Sequence, residues 1–227
     1  MSHPLPFEPP LSLTERAVAQ LRADILSTRL APGEVISEAM AAERLELGKA
    51  PIRAALARLA EEGLVASVPR RGWVVSLVTI RDIHEVFDLR LMLEPEAARR
   101  AAGRVDAAML RRLDAVCEQG YRCGDAESAL SFLHANKAFH VAVAELSGNA
   151  RLSRQVDRLL DESTRMLVMG LSRRDRTGEM AHEHRALIEA LALGRAEEAA
   201  RIMHQQVSES RAMVLAALTA PEAGIAP

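Results

Sequence analysis

The chain has 227 residues, 49% of them hydrophobic but only 3% aromatic, and carries 29 Lys and Arg against 31 Asp and Glu for a net charge of −2. That length supports two modest domains, and the aliphatic, aromatic-poor composition points to helices packed through Ala and Leu. It excludes a globally basic nucleic-acid protein, and no run of ~18 apolar residues long enough to span a membrane occurs, so a cytoplasmic protein is expected.

Residues 1–12 hold four prolines and no periodicity, which predicts a flexible N-terminal arm. Thr14 reads as the N-cap of a first helix with Ala17, Leu21, Ile25 and Leu30 on its apolar side. After the turn at Ala31-Pro32-Gly33, Ser37 reads as the cap of a short helix over 38–45. Beyond Lys49, the positions Ile52, Ala55, Leu56, Leu59 and Ala60 recur at helical spacing, with Pro51 in the first turn and Gly63 as the stop. The polar face of this helix carries Lys49, Arg53 and Arg58. Two β-prone runs, Leu64-Val65 and Trp73-Val74-Val75, then bracket Pro69-Arg70-Arg71-Gly72, a hairpin with a cationic tip. Helix, turn, helix, basic helix and basic hairpin within eighty residues is the order of a winged helix-turn-helix over 13–77. Its charges balance, nine Lys and Arg against nine Asp and Glu over residues 1–76. The case for DNA therefore rests on where the charges lie, with Lys49, Ala50, Arg53, Arg58, Arg70, Arg71 and Gly72 as the expected contacts.

From Ile80 on, helical periodicity is nearly continuous, broken only at glycine-containing turns. It predicts six helices, roughly 80–102, 105–119, 125–147, 149–170, 176–193 and 195–218, which short connections fold into an antiparallel bundle, followed by a frayed tail over 219–227. Several polar residues fall on the apolar stripes: Asn136 and His140, His184, and Gln206. His184 lies ten residues before Gly194 and Gln206 twelve after, so a hairpin turning there brings both to one height. Each alone reads as a hydrogen-bonded core residue, but four from three helices define a candidate pocket. Arg165 sits at the edge of its stripe and can pair with a carboxylate bidentately. Arg90 and Glu94 read as a structural ion pair, and Glu183 is turned about 100° from His184 on its helix. Cys117 and Cys123 have no metal or redox spacing.

The run LRADILSTRLAPGEVISEAMAAERLELGKAPIRAALARLAEEGLVASVPRRGWVV resembles the DNA-binding domain of the GntR superfamily, down to the Pro-Gly after the first helix, the P-I-R-x-A-L start of the basic helix and the P-R-R-G wing. Gly48 stands where the family usually places Ser or Thr as N-cap, and Ala39 where it often has Arg. The remainder resembles the FCD domain of the FadR subfamily, through Arg90 with Leu93-Glu94, Phe139-His140 with Ser147-Gly148-Asn149, and Glu183-His184 with Ala190. Six helices rather than seven resemble the VanR-like branch. The resemblance implies a mainly α protein, a winged helix-turn-helix followed by an all-α bundle. It also implies a divalent metal such as zinc at the positions of Asn136, His140, His184 and Gln206. With amides at two of these, only His140 and His184 are strong ligands, two short of a closed zinc site, with Asn136 a weaker donor beside them, so metal is expected to be weakly held or absent.

The expected function is a bacterial transcriptional regulator that binds an inverted-repeat operator as a homodimer. A small carboxylate-bearing effector at Asn136, His140, His184, Gln206 and Arg165 is expected to modulate it. Two alternatives compete: a metal-assisted hydrolase using the bundle histidines, which lacks an evident general base, and a DNA-binding protein whose bundle only dimerises.

Overall fold

The computed structural model describes residues 11–219, which form two compact units divided between residues 77 and 78. Most of the expected arm and all but the first residue of the expected tail lie outside the described residues.

In the first unit, α1 (Leu13–Leu26) is followed by β1 (Val35–Ile36), α2 (Glu38–Leu45), α3 (Lys49–Glu61), β2 (Val65–Val68) and β3 (Gly72–Val75). The cap of α1 is Ser12 rather than the expected Thr14. Ser12 and Glu15 form a reciprocal capping box that satisfies two backbone N–H groups at once, whereas Thr14 lies inside the first turn. Ser37 caps α2 as expected, and Gly48 starts α3 without a side-chain cap bond. Leu21 and Ile25 of α1 meet Ile52, Leu56 and Leu59 of α3 in a fully apolar core closed by Ile36, Val65 and Val75.

The strand β1 has no signature in the sequence because two residues carry no alternation. It exists because Gly33, at φ +83°, turns the chain so that its N–H donates to the Val75 carbonyl and Val75 N–H returns to Glu34. The sheet is antiparallel in the order β1-β3-β2, with Val35 opposite Val74 and Ala66 also opposite Val74 on the other side.

The second unit contains, among the described residues, six helices: α4 (Ile80–Ala101), α5 (Ala107–Cys117), α6 (Ala126–Leu146), α7 (Ala150–Leu171), α8 (Thr177–Ala192) and α9 (Ala196–Thr219). Their bounds fall within two residues of the periodicity-based ones, and α9 reaches one residue further. Side-chain caps explain the sharp starts: Thr79 with Asp82 in a capping box, then Asp106, Asp125 and Asn149. Helix α4 packs against α6, α7 and α9, while α5 packs against α6 and α8. Phe87, Phe139, Val156, Leu187 and Val214 are each fully buried. None of the described helices is long and apolar enough to cross a membrane.

Candidate functional site

Two surfaces carry the expected chemistry, one in each unit. In the first, Lys49, Ala50 and Arg53 are exposed along α3. Arg53 is gripped by Glu38 of α2 through Nε at 2.9 Å and Nη2 at 2.8 Å, yet its side chain is 69% exposed, so the guanidinium is aimed rather than buried. This partner holds the Glu38 carboxyl below its usual range. Arg58 departs from the expected common face: five residues on from Arg53, it lies about 140° around the helix. There it approaches Glu62, which is itself held by Arg22 of α1. Between these two arginines the outward face of α3 presents the small side chains of Ala50, Ala54 and Ala57, which let backbone approach a partner closely. The wing places Arg70 and Arg71 at an exposed tip, with Arg70 at φ +65° and Gly72 at +91°, the left-handed geometry a tight reversal requires.

In the second unit, Asn136 and His140 of α6, His184 of α8 and Gln206 of α9 line one cavity, joined by Arg90 of α4 and Glu183 of α8. The four residues expected to converge do so, and all are buried. The enclosed space is about 10 Å³, room for one water-sized species.

Each imidazole is backed by a buried carboxylate that the spacing did not reveal. Glu94 accepts from His140 Nδ1 at 2.7 Å and from Arg90 Nε at 2.6 Å, while Arg90 also donates to Ser163 at 3.1 Å. Asp114 of α5 stands 2.6 Å from His184 Nδ1. Burial disfavours ionisation of Glu94, but Arg90 and His140 outweigh it and bring the carboxyl down to about 2. Burial lowers the pKa of His184 against the pull of Asp114, with His140 adding to the lowering, which favours the neutral ring. With Nδ1–H donated to carboxylate on both rings, Nε2 is the nitrogen each has left for the cavity. Asn136 Oδ1 and both amide atoms of Gln206 are buried without a partner, an arrangement that costs roughly 1–3 kcal/mol per group and calls for something to satisfy it.

Three further placements extend or correct the sequence reading. Arg90 and Glu94 form the expected ion pair, and beyond it Arg90 lines the cavity while Glu94 backs His140. Glu183 is not turned away: it lines the cavity, where Arg176 of the α7–α8 connection holds it at 2.7 Å. Arg176 is 1% exposed and also binds Glu179 and Glu209, so three carboxylates share one guanidinium. Burial, with Glu209 and Glu179 adding to it against Arg176, pushes Glu183 up to about 7. Arg165 is buried rather than at an edge, but it does not line the cavity; burial lowers its pKa against the pull of Asp82. The signal that could have found Glu94 is its i, i+4 spacing from Arg90; Asp114 and Arg176 offered none.

A DNA-binding transcriptional regulator built of two units is the class that the winged helix and the helical bundle define, and the comparisons support it. Residues 13–75 match the bacterial regulatory proteins of the gntR family, and residues 85–224 match the FCD domain. The chain therefore belongs to the GntR family of transcriptional regulators with an FCD domain, and it is not an enzyme.

Among its relatives, the HTH-type transcriptional repressor RspR of Escherichia coli (strain K12) is 25% identical over 193 residues, 84% of this chain and 85% of that protein. The HTH-type transcriptional repressor GlaR of the same strain is 26% identical over 82% of this chain and 89% of its own. The solved structure of E. coli McbR/YncC shares the fold at a TM-score of 0.73, with 22% identity over 90% of this chain and 98% of that one.

Proposed function

We propose that this regulator binds an inverted-repeat operator as a homodimer, and that a small carboxylate-bearing metabolite entering the bundle cavity changes its affinity for that DNA. A single winged helix makes few contacts, and a two-fold pair of recognition helices about 34–36 Å apart doubles them. Lys49, Ala50 and Arg53 would read the major groove, with Arg70, Arg71 and Gly72 against phosphates, while Arg58 braces the α1–α3 packing.

The observation that carries the sensing role is the set of buried, unpartnered amide atoms on Asn136 and Gln206 beside two imidazoles locked by Glu94 and Asp114. In this reading Arg90, not Arg165, is the guanidinium that meets the carboxylate. The cavity is too small for a metabolite as it stands, so the ligand would select a form in which these helices have parted, and its preference for that form supplies the energy for the switch.

The donors also fit a divalent cation as an alternative occupant, provided His184 Nδ1 keeps its proton on Asp114. His140 Nε2 and His184 Nε2 would hold it with the amide oxygens of Asn136 and Gln206, and the carboxylates on Nδ1 supply the orienting partners that metal-bound histidines use. A cation there would add the positive charge that a carboxylate binds. The absence of an anionic ligand fits loose rather than closed coordination.

Fluorescence anisotropy of labelled operator DNA, titrated with a panel of organic acids with and without chelator, tests the proposal. One or more acids should shift DNA affinity in the wild type and have no effect on the His140→Ala, His184→Ala double variant, whose ligand-free DNA affinity should stay near wild type. An acid response that survives the double substitution places the sensor elsewhere.

A further inference from the structure

Behind His184, on the side away from the cavity, lies a second group of potential ligands. Asp114 and Cys117 stand one turn apart on α5, so both side chains leave the same face of that helix. His184 reaches them from α8, which packs on α5. The three residues are 2–3% exposed, and one ligand atom from each lies within 4.8 Å of the other two. His184 Nδ1 is already against Asp114 Oδ1 at 2.6 Å.

Thiolate, carboxylate and imidazole make a donor set that zinc and other soft divalent cations accept, as three protein ligands with a fourth position open. Ligand atoms around one such ion stand roughly 3–4 Å apart. The Asp114–His184 contact would open slightly and the wider distances close by about 1 Å, a side-chain adjustment. Charge also favours occupation. A dication with one thiolate and one carboxylate is neutral, whereas Asp114 by itself is a carboxylate held in the core against a neutral ring. Packing as a small apolar group accounts for a buried cysteine anywhere in the core. It does not account for a thiol set beside the carboxylate–imidazole pair.

We propose that Asp114, Cys117 and His184 form a buried site for a soft divalent cation, separate from the cavity donors Asn136, His140 and Gln206. On binding, the Cys117 S–H bond breaks and its proton leaves to solvent, while Sγ bonds to the metal. His184 Nδ1 gives up the proton it shares with Asp114 and the ring takes one on Nε2, so the imidazole stays neutral and the net release is one proton per ion.

His184 then offers the cavity an N–H donor in place of a lone pair. Asn136 and Gln206 line that cavity with carbonyl oxygens that have no partner. Metal at this site thus excludes a cation from Nε2 of the same neutral ring and inverts the polarity that His184 presents to the cavity.

Titration of the metal-free, full-length protein with Co²⁺ reads the site directly. Wild type should develop a near-ultraviolet thiolate-to-cobalt charge-transfer band that saturates at one equivalent and is displaced by Zn²⁺. Because the chain has only two cysteines, Cys123→Ser should retain the band in full, and Cys117→Ser should lose it. The Asn136→Ala, His140→Ala double variant should keep it, which separates this site from the cavity. No thiolate band in the wild type, or a band that disappears in Cys123→Ser, overturns the proposal. Should Cys117→Ser fail to fold, the wild type and Cys123→Ser spectra decide alone.

Discussion

The two units solve opposite problems. In the first, the only buried polar side chains among the described residues are Asp24 and Ser27, and the core from Leu21 to Val75 is apolar throughout. The residues proposed to meet DNA, Arg53, Arg70 and Arg71, sit outside. The second buries a set of charges and amides: Arg90, Glu94, Asp114, Asn136, His140, His184 and Gln206. A surface reader needs its core only to hold a shape, and an apolar core does that at least cost. A unit that senses a ligand, as proposed for the second, has to keep polar groups where the ligand can meet them away from water, which weakens the same core. Damage to function should therefore separate cleanly from damage to stability in the first unit, and the two should be entangled in the second.

The largest test of that contrast is Glu94→Ala. It strands Arg90 and His140 without their shared carboxylate, and removing one partner of a buried ion pair costs about 3–5 kcal/mol. Urea unfolding followed by a probe on the bundle should show a loss of that size. A loss below about 1 kcal/mol, the range of exposed pairs, would mean that the bundle's polar groups are not a linked network.

Arg53→Ala should behave in the opposite way. Operator affinity should fall roughly 5- to 150-fold, the range for removing a bidentate bond to a base. The unfolding midpoint should barely move, because the Arg53–Glu38 pair is open to water. Gel shifts indistinguishable from wild type across salt concentrations would remove α3 from the groove.

A smaller effect is expected at the wing. Arg70→Ala or Arg71→Ala should weaken binding to all sequences alike and reduce the log–log salt slope by roughly 0.9 for each phosphate no longer neutralised. A change in sequence preference instead would make the wing a base reader.

The contrast also explains what can be read from the chain alone. Helix bounds are legible because each amphipathic stripe and each Ser, Thr, Asp or Asn cap is a local signal. The meeting of Asn136, His140, His184 and Gln206 is legible because counting residues from the Gly194 turn is arithmetic along two helices. What cannot be read is what lies between helices. Glu94 meets His140 across 46 residues and Asp114 meets His184 across 70, and no periodicity connects such pairs. Arg176 escapes for a related reason: in a loop it reads as solvated, yet α8 and α9 place Glu183 and Glu209 around it. Arg58 is a simpler case, since residues 53 and 58 share a helix but not a face.

The last test lies in the pH dependence of the bundle, and its sign follows from Glu183. In the folded state its carboxyl is raised to about 7, while in the unfolded chain it returns to about 4.3. Between those values the folded protein holds a proton that the unfolded chain has released. This contribution to stability is therefore fully present below about pH 4.3 and lost as pH rises through about 7. His184 acts with the opposite sign: its folded pKa lies below the ordinary histidine value, so its contribution is present above that value and lost as pH falls through the lowered one. The two partly offset each other in mildly acid solution, and wild type alone does not separate them. Glu183→Gln does, because it keeps a neutral side chain against Arg176, Glu209 and Glu179 at every pH. Stability of the wild type relative to this variant should decline from about pH 5 to about 7 and level off above it, and a flat difference throughout would mean that Glu183 titrates like an exposed carboxylate. Since Glu183 lines the cavity, a carboxylate effector should also bind more weakly to the wild type as pH rises through about 7, while the variant's affinity holds.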